Sequence, residues 1–181
     1  IGLAYNEVGF VRPGATINWQ AEPCLDWFAQ FIDTTNVKHA DCDGNGIVDA
    51  NDTMAVSLNY SLIHPAMPSN NLHTRPFDLY IDIPTASLNQ GDTVSIPIKF
   101  GTAVYPAIDV YGIAFTVNYD QTLIENGDIY VTYDSSWLVS VTNNVHLEKN
   151  FSSFGKLDVG FSRINHLSQS GNGTIATLHF I

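Results

Sequence analysis

The feature that most constrains this sequence is a twelve-residue stretch rich in carboxylate and amide side chains. It reads Asp41-Cys42-Asp43-Gly44-Asn45-Gly46-Ile47-Val48-Asp49-Ala50-Asn51-Asp52. Oxygen-bearing side chains stand at positions 1, 3, 5, 9 and 12, with glycine at position 6. This is the spacing by which one short loop wraps about seven oxygens around Ca²⁺. The stretch therefore predicts a calcium-binding loop.

Each predicted ligand has a defined role in such a loop. The ligands are the side chains of Asp41, Asp43 and Asn45, the carbonyl of Ile47, Asp49 directly or through water, and Asp52. Gly46 permits the sharp turn between them. The alternative is an ordinary turn rich in Asp, Asn and Gly, but such a turn does not require acids at alternate positions and again at the twelfth. We expect Ca²⁺ as the cofactor.

The residues after the loop suit a helix. An acid at Asp52 favours the helix dipole, Ala55, Leu58 and Leu62 share one face, and Pro65 ends the pattern. With Asp at the twelfth position and Val48 after the Asp-Gly-Asn-Gly-Ile core, the loop resembles the dockerin calcium repeat. In that repeat the loop feeds a single following helix and the entering helix is missing.

A weak internal repeat extends the resemblance. Residues 1–5 (Ile-Gly-Leu-Ala-Tyr) run parallel to residues 56–60 (Val-Ser-Leu-Asn-Tyr). Dockerins carry two loop-helix units, so the resemblance implies a first calcium loop upstream of Ile1. The linked units, the pair of cysteines and the phrase Lys38-His39-Ala40-Asp41-Cys42 are similar to dockerin-type modules in large secreted and surface proteins of gliding-type bacteria. We expect a dockerin-like module over residues 1–65.

The two cysteines, Cys24 and Cys42, bear on the compartment. A bridge between them would clamp the calcium loop to the preceding segment and contribute about 3 kcal/mol. We predict this bridge; the alternative is two free thiols in a cytosolic protein. Residues 24–32 are interpreted as a short helix that buries Leu25, Phe28, Phe31 and Ile32.

Charge excludes some classes of partner. Seven basic and eighteen acidic residues give a net charge of -11, which repels nucleic acid and anionic membranes. No apolar run approaches the roughly 20 residues of a membrane span. Together with the resemblance and the predicted bridge, this places the protein in a secreted or cell-surface setting.

Residues 66–77 are rich in Pro, Ser and Asn without periodicity, which predicts a linker. From residue 78 to 181 the pattern has a period of two. The alternating sets are Leu79/Ile81/Ile83, Val94/Ile96/Ile98/Phe100, Ile113/Phe115/Val117/Tyr119, Ile129/Val131/Tyr133, Leu157/Val159/Phe161 and Ala176/Leu178/Phe180. They predict a mainly β chain with a small α part, in which the β part is an antiparallel jelly-roll or immunoglobulin-like β-sandwich.

Three stretches of this β part resemble the cohesin family, whose members bind dockerins. They are residues 90–98 (Gln-Gly-Asp-Thr-Val-Ser-Ile-Pro-Ile), 111–120 (Tyr-Gly-Ile-Ala-Phe-Thr-Val-Asn-Tyr-Asp) and 173–180 (Gly-Thr-Ile-Ala-Thr-Leu-His-Phe). Immunoglobulin-like adhesin domains have similar strands. The resemblance implies a cohesin-like sandwich over residues 78–181, whose last strand is expected either beyond Ile181 or from another molecule.

Catalytic patterns are hard to find, and we expect no enzyme. Glu125, Asp128, Asp134, Glu148 and Asp158 are candidates for a glycosidase carboxylate pair, but isolated acids are usually solvated surface groups. The leading hypothesis is a calcium-bound extracellular module for protein-protein assembly, through a cohesin-dockerin contact or self-association into an oligomer or fibre. The alternatives are a carbohydrate-binding module, using Tyr80, Tyr105, Tyr111, Tyr130 and Trp137, and an accessory fragment of a secreted glycoside hydrolase.

Overall fold

A computed structural model describes residues 1–18, 20, 22–62, 79–83, 89–124, 128–140 and 142–181. The chain divides into two compact units. The first comprises Ile1–His73 with Ile164–His166, and the second Thr74–Arg163 with Leu167–Ile181. The predicted linker 66–77 lies outside the described residues, so the predicted domain boundaries stay a prediction.

The first unit is built from short elements around a small core. Two 3₁₀ helices cover Gly2–Ala4 and Val37–Ala40, and helix α1 covers Asp52–Leu58. The core consists of four buried apolar side chains that precede the predicted loop and one within it: Ala4, Trp27, Val37, Ala40 and Val48. The helix predicted after the loop is confirmed at its start, although it ends at Leu58. Its predicted apolar face is largely open, because Leu58 and Leu62 are 66% and 53% exposed.

The short helix predicted over residues 24–32 is wrong. No helix forms over these residues, and Leu25, Phe28 and Ile32 are exposed. The Asn36 side chain accepts a hydrogen bond from Trp27 N (3.0 Å) and donates one to Trp27 O (2.9 Å). Both backbone groups of Trp27 are therefore committed to a partner nine residues away, which favours a hairpin over a helix.

The second unit is an antiparallel β-sandwich, as predicted. Its strands among the described residues are β1 (Leu79–Ile81), β2 (Val94–Phe100), β3 (Ala107–Val110), β4 (Gly112–Asn118), β5 (Ile129–Thr132), β6 (Asn144–Phe151), β7 (Lys156–Arg163), β8 (Gln169–Gly171) and β9 (Gly173–Phe180). They form sheets with the orders β1-β2-β9-β5, β4-β7-β6 and β3-β8.

Alternation along these strands places one face of each sheet in a common core. The register pairs Val159 of β7 with Phe115 of β4, and Ile98 of β2 with Ala176 of β9. The buried members of the core are Ile98, Val117, Ile124, Ile129, Val131, Tyr133, Leu138, Val139, Leu157, Val159, Phe161, Ile175, Ala176 and Leu178. The alternate residues point to the opposite, outward face of each sheet.

Candidate functional site

The predicted calcium loop brings three of its acids together. Ligand oxygens of Asp41, Asp43 and Asp52 all lie within 4.8 Å of one another. Asp41 is 3% exposed and Asp52 is fully buried. Three carboxylates that converge in this way supply the hard oxygen donors that Ca²⁺ prefers.

Backbone amides of the loop orient the two buried carboxylates. Asp41 accepts hydrogen bonds from Gly44 N (2.9 Å) and Gly46 N (3.2 Å). Asp52 accepts from the amides of Cys42, Asp43 and Asp49, at 2.5, 3.1 and 2.8 Å. The first and last acids of the loop are therefore fixed by the loop's own backbone.

The remaining predicted ligands lie on the more open side of the loop. Asn45 Oδ1 accepts from Ile47 N (2.8 Å), and Asp49 Oδ1 accepts from Asn51 N (2.6 Å). Asn45 also donates to Asp43 Oδ2 (3.0 Å). These are local turns of the kind that Asn and Asp form with the amide two residues on. Asp49 is not part of the converging carboxylate group.

The electrostatics of the loop suit a cation. Burial raises the pKa of Asp41, although the amides of Gly46 and Gly44 partly offset this effect. Burial likewise raises the pKa of Asp52; hydrogen bonds from the amides of Asp49, Asp43 and Cys42 partly offset this effect, and the charge of Asp43 adds a smaller increase. Both shifts mean that the charged carboxylates are disfavoured as the chain stands. A bound divalent cation would reverse that penalty, so the residues present fit calcium.

Two glycines give the loop its turns. Gly46 has φ +88°, in agreement with the predicted sharp turn, and Gly44 has φ +76°. These values fall in the left-handed region where side chains other than glycine are strained. The second turn, at Gly44, was not predicted from the sequence.

The predicted bridge between Cys24 and Cys42 is not formed in the structure, where both are free thiols. The two side chains line different grooves. Cys42 faces Ile17 and Asn59, whereas Cys24 lies beside Phe10 and Pro13. Burial, followed by the charge of Asp52, raises the pKa of the Cys42 thiol. The bridge thus stays a prediction that the structure does not support.

In the second unit, the outward face of the β4-β7-β6 sheet has a distinct composition. Leu157, Val159 and Phe161 of β7 point into the core, so the alternate residues point outward. On the outward face, Gly160 of β7 lies between Ala114 of β4 and Leu147 of β6. Two residues along, Ser162 of β7 lies between Gly112 of β4 and Val145 of β6. The β4 and β7 part of this face therefore carries small side chains, and Val145 and Leu147 of β6 border it.

One end of the same face is charged. Asp158 accepts a hydrogen bond from Thr116 Oγ1 (2.6 Å) and forms an ion pair with Lys156 Nζ (2.7 Å). Lys149 is its register partner on β6. Lys156 Nζ also lies 5.3 Å from the ring centroid of Phe151. Small residues on β4 and β7, apolar side chains on β6 and an anchored charge at one end suit a protein partner better than a small molecule.

The carboxylates and aromatics considered for sugar chemistry are spread over the second unit. Glu148 pairs in register with buried Val159 and so lies on the core side of β6, whereas Asp158 lies on the outward side of β7. Tyr80 and Tyr130 sit on β1 and β5, the two opposite edges of one sheet. Trp137 packs against Gly171. Glu125 lies outside the described residues.

Comparison with known protein families matches residues 79–181, more than half of the chain, to the cohesin domain. The chain belongs to the cohesin domain family. Comparisons with curated proteins and with solved structures find no match. The match covers all nine described strands of the sandwich, so the predicted cohesin-like fold is confirmed.

Membership of this family bears on function at a coarse level. Cohesin domains are non-catalytic modules for protein-protein assembly, and they bind dockerins. They are typical of extracellular and cell-surface proteins. No helix in the described part of the chain has the length and apolar character to cross a membrane.

Proposed function

We propose that this chain is a non-catalytic assembly module whose cohesin domain binds a protein partner on the outward face of the β4-β7-β6 sheet. The observation that carries the proposal is the group of small residues on β4 and β7, bordered by Val145 and Leu147 of β6, on that face of a cohesin domain. Ala114 and Gly160 allow close backbone approach, while the Asp158–Lys156 pair supplies a fixed charge for orientation. The partner class is a dockerin-type module.

The proposal extends to calcium at the loop of residues 41–52. The convergence of Asp41, Asp43 and Asp52 supports it, and so does the raised pKa of the two buried acids. Asn45, the carbonyl of Ile47 and Asp49 would complete the oxygen shell. Bound calcium would neutralise the buried carboxylates and hold the two ends of the loop together.

The proposed assembly includes self-association, because one polypeptide carries both a dockerin-like calcium loop and a cohesin domain. If the cohesin face of one copy meets the loop-helix module of the next, the contact is head to tail. Such a contact closes into a ring or continues as a fibre, depending on the rotation between copies. We place this assembly outside the cell, where cohesin domains are typical.

A charged bulky side chain at the centre of the face tests the proposal. A Cβ at Gly160 would meet only the Ala114 Cβ, at 3.8 Å, which is an ordinary contact. Gly160→Arg therefore leaves the fold intact but blocks the face. Binding is measured by calorimetry against two probes in calcium: dockerin-type modules and a second copy of this chain. We expect Gly160→Arg to weaken binding about 30-fold or more.

Ser95→Arg is the matched control, because Ser95 is exposed on the outward side of β2, in the other large sheet. It adds the same side chain to a different face and should leave the affinity unchanged. Equal loss in both variants would contradict the assignment of the face. Absence of binding by the unmodified chain to either probe would contradict the assembly function itself.

A further inference from the structure

Residues 6–12 run antiparallel along the calcium loop and form a strap over it. The strap is bonded to the loop through Asn6 N to Val48 O (2.8 Å), Val48 N to Glu7 O (2.9 Å), Gly9 N to Gly46 O (2.9 Å) and Arg12 N to Gly44 O (2.9 Å). Trp27 packs on the strap at Gly9, and its Nε1 donates to Phe10 O (3.3 Å). The strap is therefore held between the loop and the core of the first unit.

Arg12 ends the strap and reaches back over the start of the loop. Its Nη2 donates to the carbonyls of Asp41 (3.2 Å) and Cys42 (3.0 Å), which are loop positions 1 and 2. The guanidinium lies against Gly44, where an added Cβ would be 2.8 Å from Arg12 Nε. Its other end faces Glu22, with Nη1 3.8 Å from Oε2. Only 17% of the Arg12 side chain is exposed.

We propose that Arg12 is a positioning residue for the calcium loop: it holds the first two carbonyls outward, so that the Asp41 carboxylate is already directed at the site when the ion arrives. The inference rests on the proposed calcium binding. The calcium affinity of that site then depends in part on a residue that does not contact the ion.

Positioning and simple electrostatics predict opposite signs for the loss of Arg12. A positive charge beside acidic ligands repels Ca²⁺, so removing it should tighten binding if charge alone mattered. If Arg12 assembles the loop, removing it lowers the fraction of chains that are ready to bind and weakens the apparent affinity by that fraction. The direction of the change therefore separates the two roles.

The test measures calcium affinity of the full chain by calorimetry for the unmodified protein, Arg12→Lys, Arg12→Gln and the control Lys38→Gln. Arg12→Lys keeps the charge but cannot present the planar guanidinium donors. Lys38→Gln removes an equal charge three residues before the loop. It is a suitable control because Lys38 bonds Asp26 (2.6 Å) and the carbonyl of Cys24 (3.3 Å) rather than the loop carbonyls. We expect both Arg12 variants to bind calcium about tenfold more weakly, and the control to bind as tightly as the unmodified chain or more tightly.

Kinetics show at which step the variants lose affinity. The calcium dissociation rate, measured by mixing with excess chelator, should stay close to that of the unmodified chain. The association rate should carry the loss, because only assembled loops bind. Arg12 variants that bind as tightly as the unmodified chain, or more tightly, would overturn the positioning role while leaving calcium binding in place. No calcium binding by the unmodified chain would instead overturn the calcium site.

A measurement on the unmodified protein covers the case in which the variants do not fold. The amides of Gly9, Arg12 and Val48 bond across the strap and loop, so in calcium-free protein they should be protected from hydrogen exchange. Exchange of these amides at the rate of an unfolded chain without calcium would show that the loop is not assembled in advance, and the proposal would be wrong.

Discussion

The buried hydroxyl of Tyr133 forms a hydrogen bond to edge strand β6 of the sandwich. Tyr133 is 8% exposed, and its hydroxyl donates to Glu148 Oε1 on β6 at 2.9 Å. Burial, followed by the negative charge of Glu148 and this hydrogen bond, raises the pKa of Tyr133 well above its ordinary value. The folded protein therefore keeps the phenol proton under conditions where the unfolded chain loses it.

This difference predicts alkaline destabilisation. The contribution of Tyr133 is complete below the unfolded pKa of about 10 and is lost as pH rises above it, with a slope of at most about 1.4 kcal/mol per pH unit. Denaturant unfolding at several pH values up to about 11 measures the slope. Tyr133→Phe should reduce it, whereas Tyr105→Phe, at a tyrosine that is 63% exposed, should not. Equal slopes in the two variants would contradict the assignment.

For individual residues, the sequence predicted the acids of the candidate site but not the residue that bonds the backbone of their loop. Asp41, Asp43 and Asp52, at loop positions 1, 3 and 12, could be predicted because all three lie within one stretch of twelve residues. Arg12 lies 29 residues before Asp41, and no local pattern marks an arginine that bonds two distant carbonyls. Its role depends on the strap reaching the loop, which is a tertiary event.

Among the elements, strands were predictable where one face is apolar. The alternating residues of β2, β4, β7 and β9 match their burial. Strand β6 was missed because its core-side residues are His146, Glu148 and Asn150. Glu148 bonds Tyr133, and the His146 ring lies 5.2 Å from the Tyr133 ring. Inward polar residues on an edge strand hide the alternation and also discourage pairing with another chain.

Turns between elements impose a different constraint, as at Gly155. This glycine follows the 3₁₀ helix Ser152–Phe154 with φ +59°, and an added Cβ would lie 2.1 Å from the Tyr119 carbonyl oxygen. Gly155→Ala should therefore destabilise the sandwich by about 2–4 kcal/mol, since it combines backbone strain with a clash. Denaturant unfolding measures the change in free energy.

Gly91 provides the control for that prediction. It has φ +89°, but no atom lies within 4 Å of its added Cβ. Gly91→Ala should cost only the strain, about 1–2 kcal/mol. If the two variants lose the same free energy, the contact with Tyr119 is unimportant and the backbone conformation alone accounts for Gly155.

On the scale of the whole molecule, each of the two units has a core of its own. The first is built around Trp27 and Val48, and the second around Ile98, Leu157 and Ile175. The fold class followed from the sequence because strand alternation survives in most of the sandwich. The first unit was harder to predict, because few of its residues lie in regular elements and Asn36, rather than periodicity, fixes the course of residues 24–32.

Separate cores predict that calcium acts on one unit selectively. The proposed ligands lie within the first unit, and Val48 of the same loop belongs to that unit's core. An ion that binds only the folded loop stabilises it by about 2.7 kcal/mol at a hundredfold excess over Kd. Calorimetry should therefore show that chelation lowers the melting temperature of the first unit and leaves the sandwich transition in place.

Asp52→Asn should abolish this response to chelation, because it removes a buried charge without changing the side-chain shape. Asp128→Asn, at an exposed acid of the sandwich, should preserve the response. A single transition that is identical with and without chelator would contradict the calcium site, and a chelator-sensitive transition that persists in Asp52→Asn would place the ion elsewhere.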